Sequence, residues 1–417
     1  MMSRRPLREI RNSAIIGQKD VSIMKILVIG GGASGMMAAL TASEKDHNEV
    51  LLVERQSRVG RKLLSTGNGR CNLSNRNLSL QNYHGDAVTF CSYALEHFSV
   101  EQTLAYFRSL GLLTVTEPSG RVYPYSDSAN SVVDVLRLPL EQRKNVQILT
   151  GCEILSLRKR DGRFIAKTAQ EELHADRVIL CAGGLAGSKL GGTDMGYKLL
   201  ASFGHSRTKL LPSLVQLKTD TTFVRALKGV RAEALVTYGK AKARGELQFT
   251  DYGVSGPVIF ELSRGAVGGE LMIDLLPDIH ESELLDLLQC RCKTMPELRA
   301  EDLLTGILHN RLGRTLLRAC GISLEQHCDE IYDLNRVVKM CKSFGLTVQG
   351  NMGMDQAQVT AGGIKTEEFD PQTMESRLCP GLYAAGEVLD VDGDCGGYNL
   401  QWAWSSGRLA GELRGKA

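Results

Sequence analysis

The 417-residue chain has no uninterrupted apolar stretch near the ~20 residues that a transmembrane helix requires, so no membrane partner is expected. It also lacks an excess of either charge: 50 Lys and Arg stand against 47 Asp and Glu, for a formal net charge of +3. Nucleic acids and anionic surfaces select strongly basic chains, so no nucleic acid is expected either; a small-molecule substrate is. Aromatic residues are scarce at 6%, and no run interleaves them with basic residues as a nucleic-acid-binding surface would. Of the eleven cysteines only Cys290 and Cys292 lie close together, and no histidines at ligand spacing complete a zinc site. No metal is expected. A C-x-x-C of the disulfide-reductase kind is missing too. Residues 1–23 carry Arg4, Arg5, Arg8 and Arg11 without the ~7–15-residue apolar core of a secretory signal. They read as a disordered leader, or as the product of an upstream start codon ahead of Met24. Reduced thiols and a cytoplasmic location are the corresponding expectation.

What the chain does have is glycine in particular places. Lys25 to Ile29 is a short apolar strand running into Gly30-Gly31-Gly32-Ala33-Ser34-Gly35 and then a helix to about Glu44. Gly30, Gly32 and Gly35 match the G-x-G-x-x-G dinucleotide fingerprint: one glycine for the tight turn, one for close approach of a pyrophosphate, one for helix–strand packing. The helix start directs free amides and about half a positive charge at that pyrophosphate. A second strand, Val50 to Val53, ends at Glu54, where a carboxylate can accept hydrogen bonds from an adenosine ribose. Arg55 and the loop to residue 72 follow, with Gly60, Arg61, Lys62, Gly67, Asn68, Gly69, Arg70, Cys71 and Asn72. Basic side chains and glycine backbone at this density suit a loop wrapped around a diphosphate.

Helices are expected over 87–111 and 131–143. From Val146 the pattern turns to strands: Val146 to Leu149, then Ile154 to Arg160 and Phe164 to Thr168 about an Asp161-Gly162 turn, then Leu173 to Ala175. Arg177 to Cys181 again runs into small residues, Ala182, Gly183 and Gly184. A helix over 196–205 precedes a strand-rich stretch with segments at 214–218, 234–238, 246–250 and 271–275. Residues 281–342 read as helical, with Leu303, Leu304, Ile307 and Leu308 at helical spacing, and Ser323 with Gln326 as a capping box before the last helix. Strands return at 346–349 and 358–360. Near the C-terminus, Leu382 to Ala385 leads into Gly386-Glu387, an aspartate-rich glycine loop, and a helix from Tyr398 to Leu413 that carries Asn399 and Leu400. A nicotinamide domain has no need of a second glycine-to-helix junction in its last 30 or so residues. FAD is longer: a carboxylate can bind its ribityl chain, and a helix N-terminus can stabilise the reduced flavin.

The fold class expected is therefore α/β: a Rossmann-like FAD-binding domain with a parallel sheet and a β-meander, over 24–205 and 360–417. A β-rich substrate domain is expected over 206–278 and 343–359, carrying a helical insertion at 279–342. From Met24 onward the sequence resembles the BaiN/YhiN-like flavoproteins, also called aminoacetone-oxidase-type FAD-binding enzymes. The matching stretches are I-G-G-G-A-S-G (29–35), G-R-K-L-L-S-T-G-N-G-R-C-N (60–72), G-G-x-x-x-x-x-G-G-T-D-M-G (183–196), F-T-D-Y-G-V-S-G-P (249–257), T-A-G-G-I (360–364) and A-A-G-E-V-L-D-V-D-G-D-C-G-G-Y-N-L-Q (384–401). The resemblance implies non-covalent FAD, held by Gly30, Gly32, Gly35, Glu54, Arg55, the 60–72 loop, Ala182-Gly183, Glu387 and Asn399-Leu400. Ala33, Ser34, Gly184 and Gly386 belong to the same turns. It implies an FAD-dependent oxidoreductase exchanging hydride at flavin N5 with a small organic substrate. Members of the family are assigned both to NAD(P)H-linked reduction and to oxygen-dependent oxidation of amines. Only one fingerprint is present, so NAD(P)H would bind transiently over the flavin or not at all. An RNA-modifying flavoprotein and a non-catalytic flavin-binding protein are the readings of another class. No catalytic residue is assigned. Tyr398 and Asp392 are the candidates to face the flavin, Cys71 and Cys395 sit in flavin-side loops, and His84 and His205 have no supporting constellation.

Overall fold

The computed structural model describes residues 23–86 and 88–415; the expected leader lies outside the described residues, Ile23 apart. Five parallel strands form the central sheet, in the order Leu382–Ala384, Arg177–Leu180, Met24–Ile29, Asn48–Glu54, Val146–Thr150. Met24–Ile29 lies at the centre, which is why it is apolar without alternation: both faces are covered. The helix Ala33–Ala42 packs against the C-terminal helix Tyr398–Gly411 at very short range. A Cβ on Gly407 would come 2.4 Å from Ser34 O, and one on Gly411 would come 2.6 Å from Ala38 O. The last helix is thereby locked to the first, so the two glycine junctions share one end of the sheet. The meander Ser156–Arg160, Arg163–Lys167, Glu172–Ala175 sits where the sequence expects it, with Asp161 and Gly162 both at positive φ in its turn.

The second unit is a closed six-stranded barrel of Leu217–Thr219, Gly253–Ser255, Ala241–Phe249, Arg231–Tyr238, Gly269–Asp274 and Phe344–Asn351. Its helical segment, Glu281–Thr294, Asn310–Ala319 and Leu334–Lys342, buries Leu284, Leu288, Leu316 and Val337 in the same core as barrel residues Phe249 and Phe344. The expected α/β class, with a parallel Rossmann-type sheet and a β-rich second unit, is the class observed.

Several local expectations need correction. The single helix over 87–111 is two helices, Ser92–His97 and Val100–Ser109, because Ser99 and Gln102 form a capping box that starts the second. No helix starts at Ser323; Ser323 N donates to Gln326 Oε1 (3.2 Å), but the last α-helix of that segment starts at Leu334 under an Asp333 cap. Leu303 to Leu308 lie in turns interrupted by Gly306 at φ +82. The strand expected over 214–218 is split at Leu214 (φ +51). Leu211–Ser213 pairs with Val359–Ala361, while Leu217–Thr219 enters the barrel.

Candidate functional site

A cleft of about 720 Å³ lies between the C-terminal ends of the parallel strands and the barrel, the place where open α/β sheets hold ligands. Its floor is the turn after Met24–Ile29. Gly30 has φ +104, and a Cβ there would come 2.4 Å from Cys181 O; at Gly35 it would come 1.8 Å from Gly30 O. These two glycines close the turn. Gly32 differs: its backbone is extended, and a Cβ would meet nothing within 4 Å. The space above it is the cleft, which Ala33 and Ser34 also line. Gly32 is the N-cap of Ala33–Ala42 and offers the helix no side-chain cap, so the free amides are left for an anion. Gly31, which the fingerprint does not demand, is also tightly held, its Cβ position lying 2.7 Å from Val59 Cγ1.

Glu54 is fixed at the rim. Its Oε2 accepts from Gly31 N and its Oε1 from Gln56 N, both at 2.7 Å, and each oxygen keeps a lone pair for a ligand hydroxyl. Arg55 donates to Gly191 O (3.0 Å) and Arg61 to Gln56 Oε1 (2.5 Å). Lys62 Nζ lies 2.7 Å from Glu387 Oε2, while Glu387 Oε1 accepts from Thr360 N at 2.9 Å. The basic loop and the C-terminal junction, 325 residues apart, are thus joined by an ion pair on the cleft wall. Gly60, Gly67, Asn68, Arg70 and Asn72 line the cleft as well. The Arg70 guanidinium stacks 4.0 Å from the Tyr123 ring centroid and pairs with Asp127 and Glu117. Asn72 Oδ1 is buried at this wall without a partner among the described residues, an acceptor suited to a ligand donor.

From the second junction, Ala182, Gly183 and Gly184 reach the cleft; a Cβ on Gly183 would meet nothing within 4 Å. Asn399 pins the aspartate loop to the last helix, its Oδ1 accepting from Gly393 N (2.8 Å) and its Nδ2 donating to Gly393 O (2.7 Å). Leu400 lies on the cleft. An anionic dinucleotide fits these features: two glycine cradles, an uncapped helix start, a rim carboxylate and an unpartnered acceptor converge on one elongated space.

Four of the expected residues do not line it. Gly35 and Gly386 shape the turns, a Cβ on Gly386 meeting Ser34 Oγ at 2.6 Å. Gly69 (φ +87) serves the loop's own course. Cys71 is wholly buried behind the loop, and burial pushes its thiol up to about 12. The two candidates to face the cleft turn away from it. Asp392 is 1% exposed and accepts two hydrogen bonds from Arg264, at 2.9 and 3.1 Å; Tyr398 packs edge-on against Tyr83. A buried carboxylate needs such a partner, and that need outweighs the pull of the site.

The barrel supplies the facing wall with Gln216, Arg231, Glu246, Gln248, Ser255 and Phe260. The F-T-D-Y-G-V-S-G-P loop, left unassigned above, contributes its end: Ser255, Gly256 and Pro257 enter the cleft, while Asp251 pairs with Lys228 at 2.6 Å on the surface. Sequence reasoning also passed over Arg121, Tyr123 and Asp394, which line the cleft with Cys395. Asp394 Oδ1 lies 2.6 Å from His84 Nε2, and this hydrogen bond holds the His84 pKa above its ordinary value. His205 has the opposite environment: burial lowers its pKa, although Glu368 lies 2.7 Å from Nδ1, and Ser376 Oγ lies 2.8 Å from Nε2. It stacks on Phe369 away from the cleft and belongs to the fold.

The family of the HI0933-like protein Rossmann domain matches residues 24–413. The chain belongs to that family. A 3-dehydro-bile acid delta(4,6)-reductase of Clostridium scindens is 39% identical over 402 residues, covering 93% of this chain and 98% of its own. The ribosomal RNA dihydrouridine synthase of Escherichia coli is 31% identical over 389 residues, covering 91% of this chain and 95% of its own. The protein of the same name from Haemophilus influenzae is 28% identical over 392 residues, covering 91% and 96%. This HI0933-like chain is accordingly an FAD-dependent oxidoreductase of the BaiN type, as the resemblance implies. Its near-neutral charge does not carry the exclusion of nucleic acid, since two of these relatives are named for ribosomal RNA. Among the described residues no helix is long and apolar enough to cross a membrane, and no cluster of His, Cys, Asp and Glu is arranged to hold a metal ion.

Proposed function

We propose that the protein binds FAD non-covalently in this cleft and uses NAD(P)H to saturate a carbon–carbon double bond conjugated with a carbonyl. One observation carries the reading. Relatives named for a bile acid and for ribosomal uridine both align with more than nine-tenths of this chain, at 93% and 91%. Chemically, a 4,6-diene beside a 3-oxo group and the C5–C6 bond of uracil are the same target: an alkene polarised by a neighbouring carbonyl. Bound FAD supplies hydride transfer at N5. The chain's own residues bind and orient. The amides above Gly32 meet the pyrophosphate, Glu54 the adenosine ribose, and Arg55 and the Gly60-Arg61-Lys62 stretch the diphosphate side. Glu387 meets the ribityl hydroxyls, and Asn72, Asn399 and Leu400 the flavin end. Arg121 and Arg231 are placed in the cleft to donate to a substrate carbonyl and draw charge from the alkene.

A second reading keeps the reaction and moves the target into RNA. The barrel wall presents Gln216, Arg231, Glu246 and Gln248, and Gln216 Oε1 is buried without a partner among the described residues. Amide side chains match the imide edge of a pyrimidine better than the apolar body of a steroid. Anaerobic stopped-flow separates the options. Rapid bleaching of the flavin by NADH or NADPH is expected, followed by reoxidation on adding the substrate. Reoxidation by a steroid enone supports the small-molecule reading; loss of dihydrouridine from the ribosomal RNA of a deletion strain supports the RNA reading. Bleaching by an amine such as aminoacetone, and by neither nicotinamide, overturns both.

A further inference from the structure

Saturating a conjugated double bond takes a hydride at the β-carbon and a proton at the α-carbon, and no residue named so far gives that proton. Resting on the reductase reading above, we infer that Asp394 is the group that delivers it and that His84 recharges Asp394 from solvent. Asp394 lines the cleft beside the N-terminus of the last helix, and its Oδ1 lies 2.6 Å from His84 Nε2. His84 stands behind Asp394, off the cleft, with 37% of its side chain exposed to water. The order from outside to inside is therefore water, imidazole, carboxyl, cleft. Asn82 Nδ2 donates to Asp394 Oδ2 (3.1 Å) and fixes the carboxylate plane, while His84 is held in a strand pair opposite Asp392.

The surrounding charges fit a device that holds a proton. Asp392, opposite His84 in the strand pair, is paired with Arg264, which reaches across from the barrel unit; the charge of Asp392 favours the protonated imidazole and that of Arg264 opposes it. Glu261, on the barrel helix Pro257–Leu262, faces Asp394, Arg121 and His84. Glu261 is exposed at the surface, and the desolvation by neighbouring protein, with the charge of Asp394 added, pushes its carboxyl up to about 7. Asp392, Asp394 and Arg264 complete the charged groups facing His84, and the bond to Asp394 dominates, raising the imidazole pKa above its ordinary value. In the step itself, the hydride pair forms the new C–H bond at the β-carbon and the alkene π pair moves towards the carbonyl. As that pair takes up a proton at the α-carbon, the His84 Nε2–H bond breaks and its proton passes through the Asp394 carboxylate to the carbon, and water restores His84. NAD(P)H is the net reductant and one proton is consumed.

The test uses the holoenzyme of His84→Gln and Asp394→Asn, with the two half-reactions followed separately. The expected result is unchanged FAD content and unchanged bleaching by NADH. Reoxidation of the reduced enzyme by 2-cyclohexenone, or by uridine-containing ribosomal RNA, slows by about 10²–10⁴-fold. The wild-type reoxidation rate should fall as pH rises through the raised pKa of His84, and that limb should vanish in His84→Gln. Equal slowing of both half-reactions, or an unaltered pH profile, overturns the relay. Histidine NMR of the apoprotein gives an activity-free readout, in which Asp394→Asn lowers the His84 titration midpoint to the ordinary range. Reduced wild-type enzyme that ignores both substrates would sink the reductase reading instead. A His84 resonance indifferent to Asp394→Asn then sinks the relay too.

Discussion

Replacing Gly32 by Asp should move two properties in opposite directions. Gly32 is the N-cap of the first helix, its extended backbone accepts any residue, and a Cβ would meet nothing within 4 Å. An Asp there caps free amides and opposes the helix dipole, which should stabilise the apoprotein by about 0.5–1 kcal/mol. The same carboxylate would stand where the pyrophosphate must sit. Two like charges about 4 Å apart at an effective dielectric near 20 repel by about 4 kcal/mol, or about a thousandfold in FAD affinity. The assay is paired: urea unfolding of the flavin-free protein, and flavin absorbance of the purified protein with titration of added FAD. Gly32→Asp should unfold at higher urea than the wild-type apoprotein and purify colourless. A yellow Gly32→Asp protein with near-normal affinity would refute the placement of the dinucleotide over this turn. A destabilised apoprotein would refute the claim that the space above Gly32 is empty of protein.

Gly35→Ala is the contrasting change. Its Cβ would lie 1.8 Å from Gly30 O, so the turn must open, and the apoprotein itself should lose at least about 3 kcal/mol in the same urea assay. Glu387→Gln removes one charge of the pair with Lys62; weaker FAD binding with little change in apoprotein stability is expected, because both side chains are partly exposed. The two histidines should give pH slopes of opposite sign, read as wild-type minus variant stability from urea melts between pH 5 and 8. Burial lowers the pKa of His205, so its contribution is present above the unfolded value of 6.5 and is lost as pH falls through the folded pKa. The bond to Asp394 raises that of His84, so its contribution is present below 6.5 and is lost as pH rises through the folded pKa. Phe107→Ala should cost about 3–5 kcal/mol, because this fully buried ring packs edge-on to Trp404, whose Nε1 donates to Leu73 O beside Asn72. Loss of flavin content alongside stability is the expected reading.

The amino-acid sequence determined the parts whose signal is local. Glycines at 30, 32 and 35, the strand before them and Glu54 after them read as a dinucleotide turn because each constraint spans only a few residues. The meander turn at Asp161-Gly162 is of the same kind, whereas helix caps were not: Ser99 starts a helix inside an apolar periodic stretch, and Ser323 with Gln326 starts none. Even the return of the C-terminal segment to the cleft was legible, since a long ligand would require it. Tertiary structure alone decided which side of a loop faces the cleft. Asp392 and Asp394 are two residues apart in one aspartate-rich loop; Arg264, 128 residues away, draws the first inward, while Asn82 and His84, more than 300 residues away, hold the second at the cleft. The barrel wall of Gln216, Arg231, Glu246 and Gln248 was likewise unreadable, because its residues converge only when the sheet closes. A charged or amide side chain goes where its hydrogen-bond partner is, and partners that distant in sequence are chosen by the packing of the whole chain.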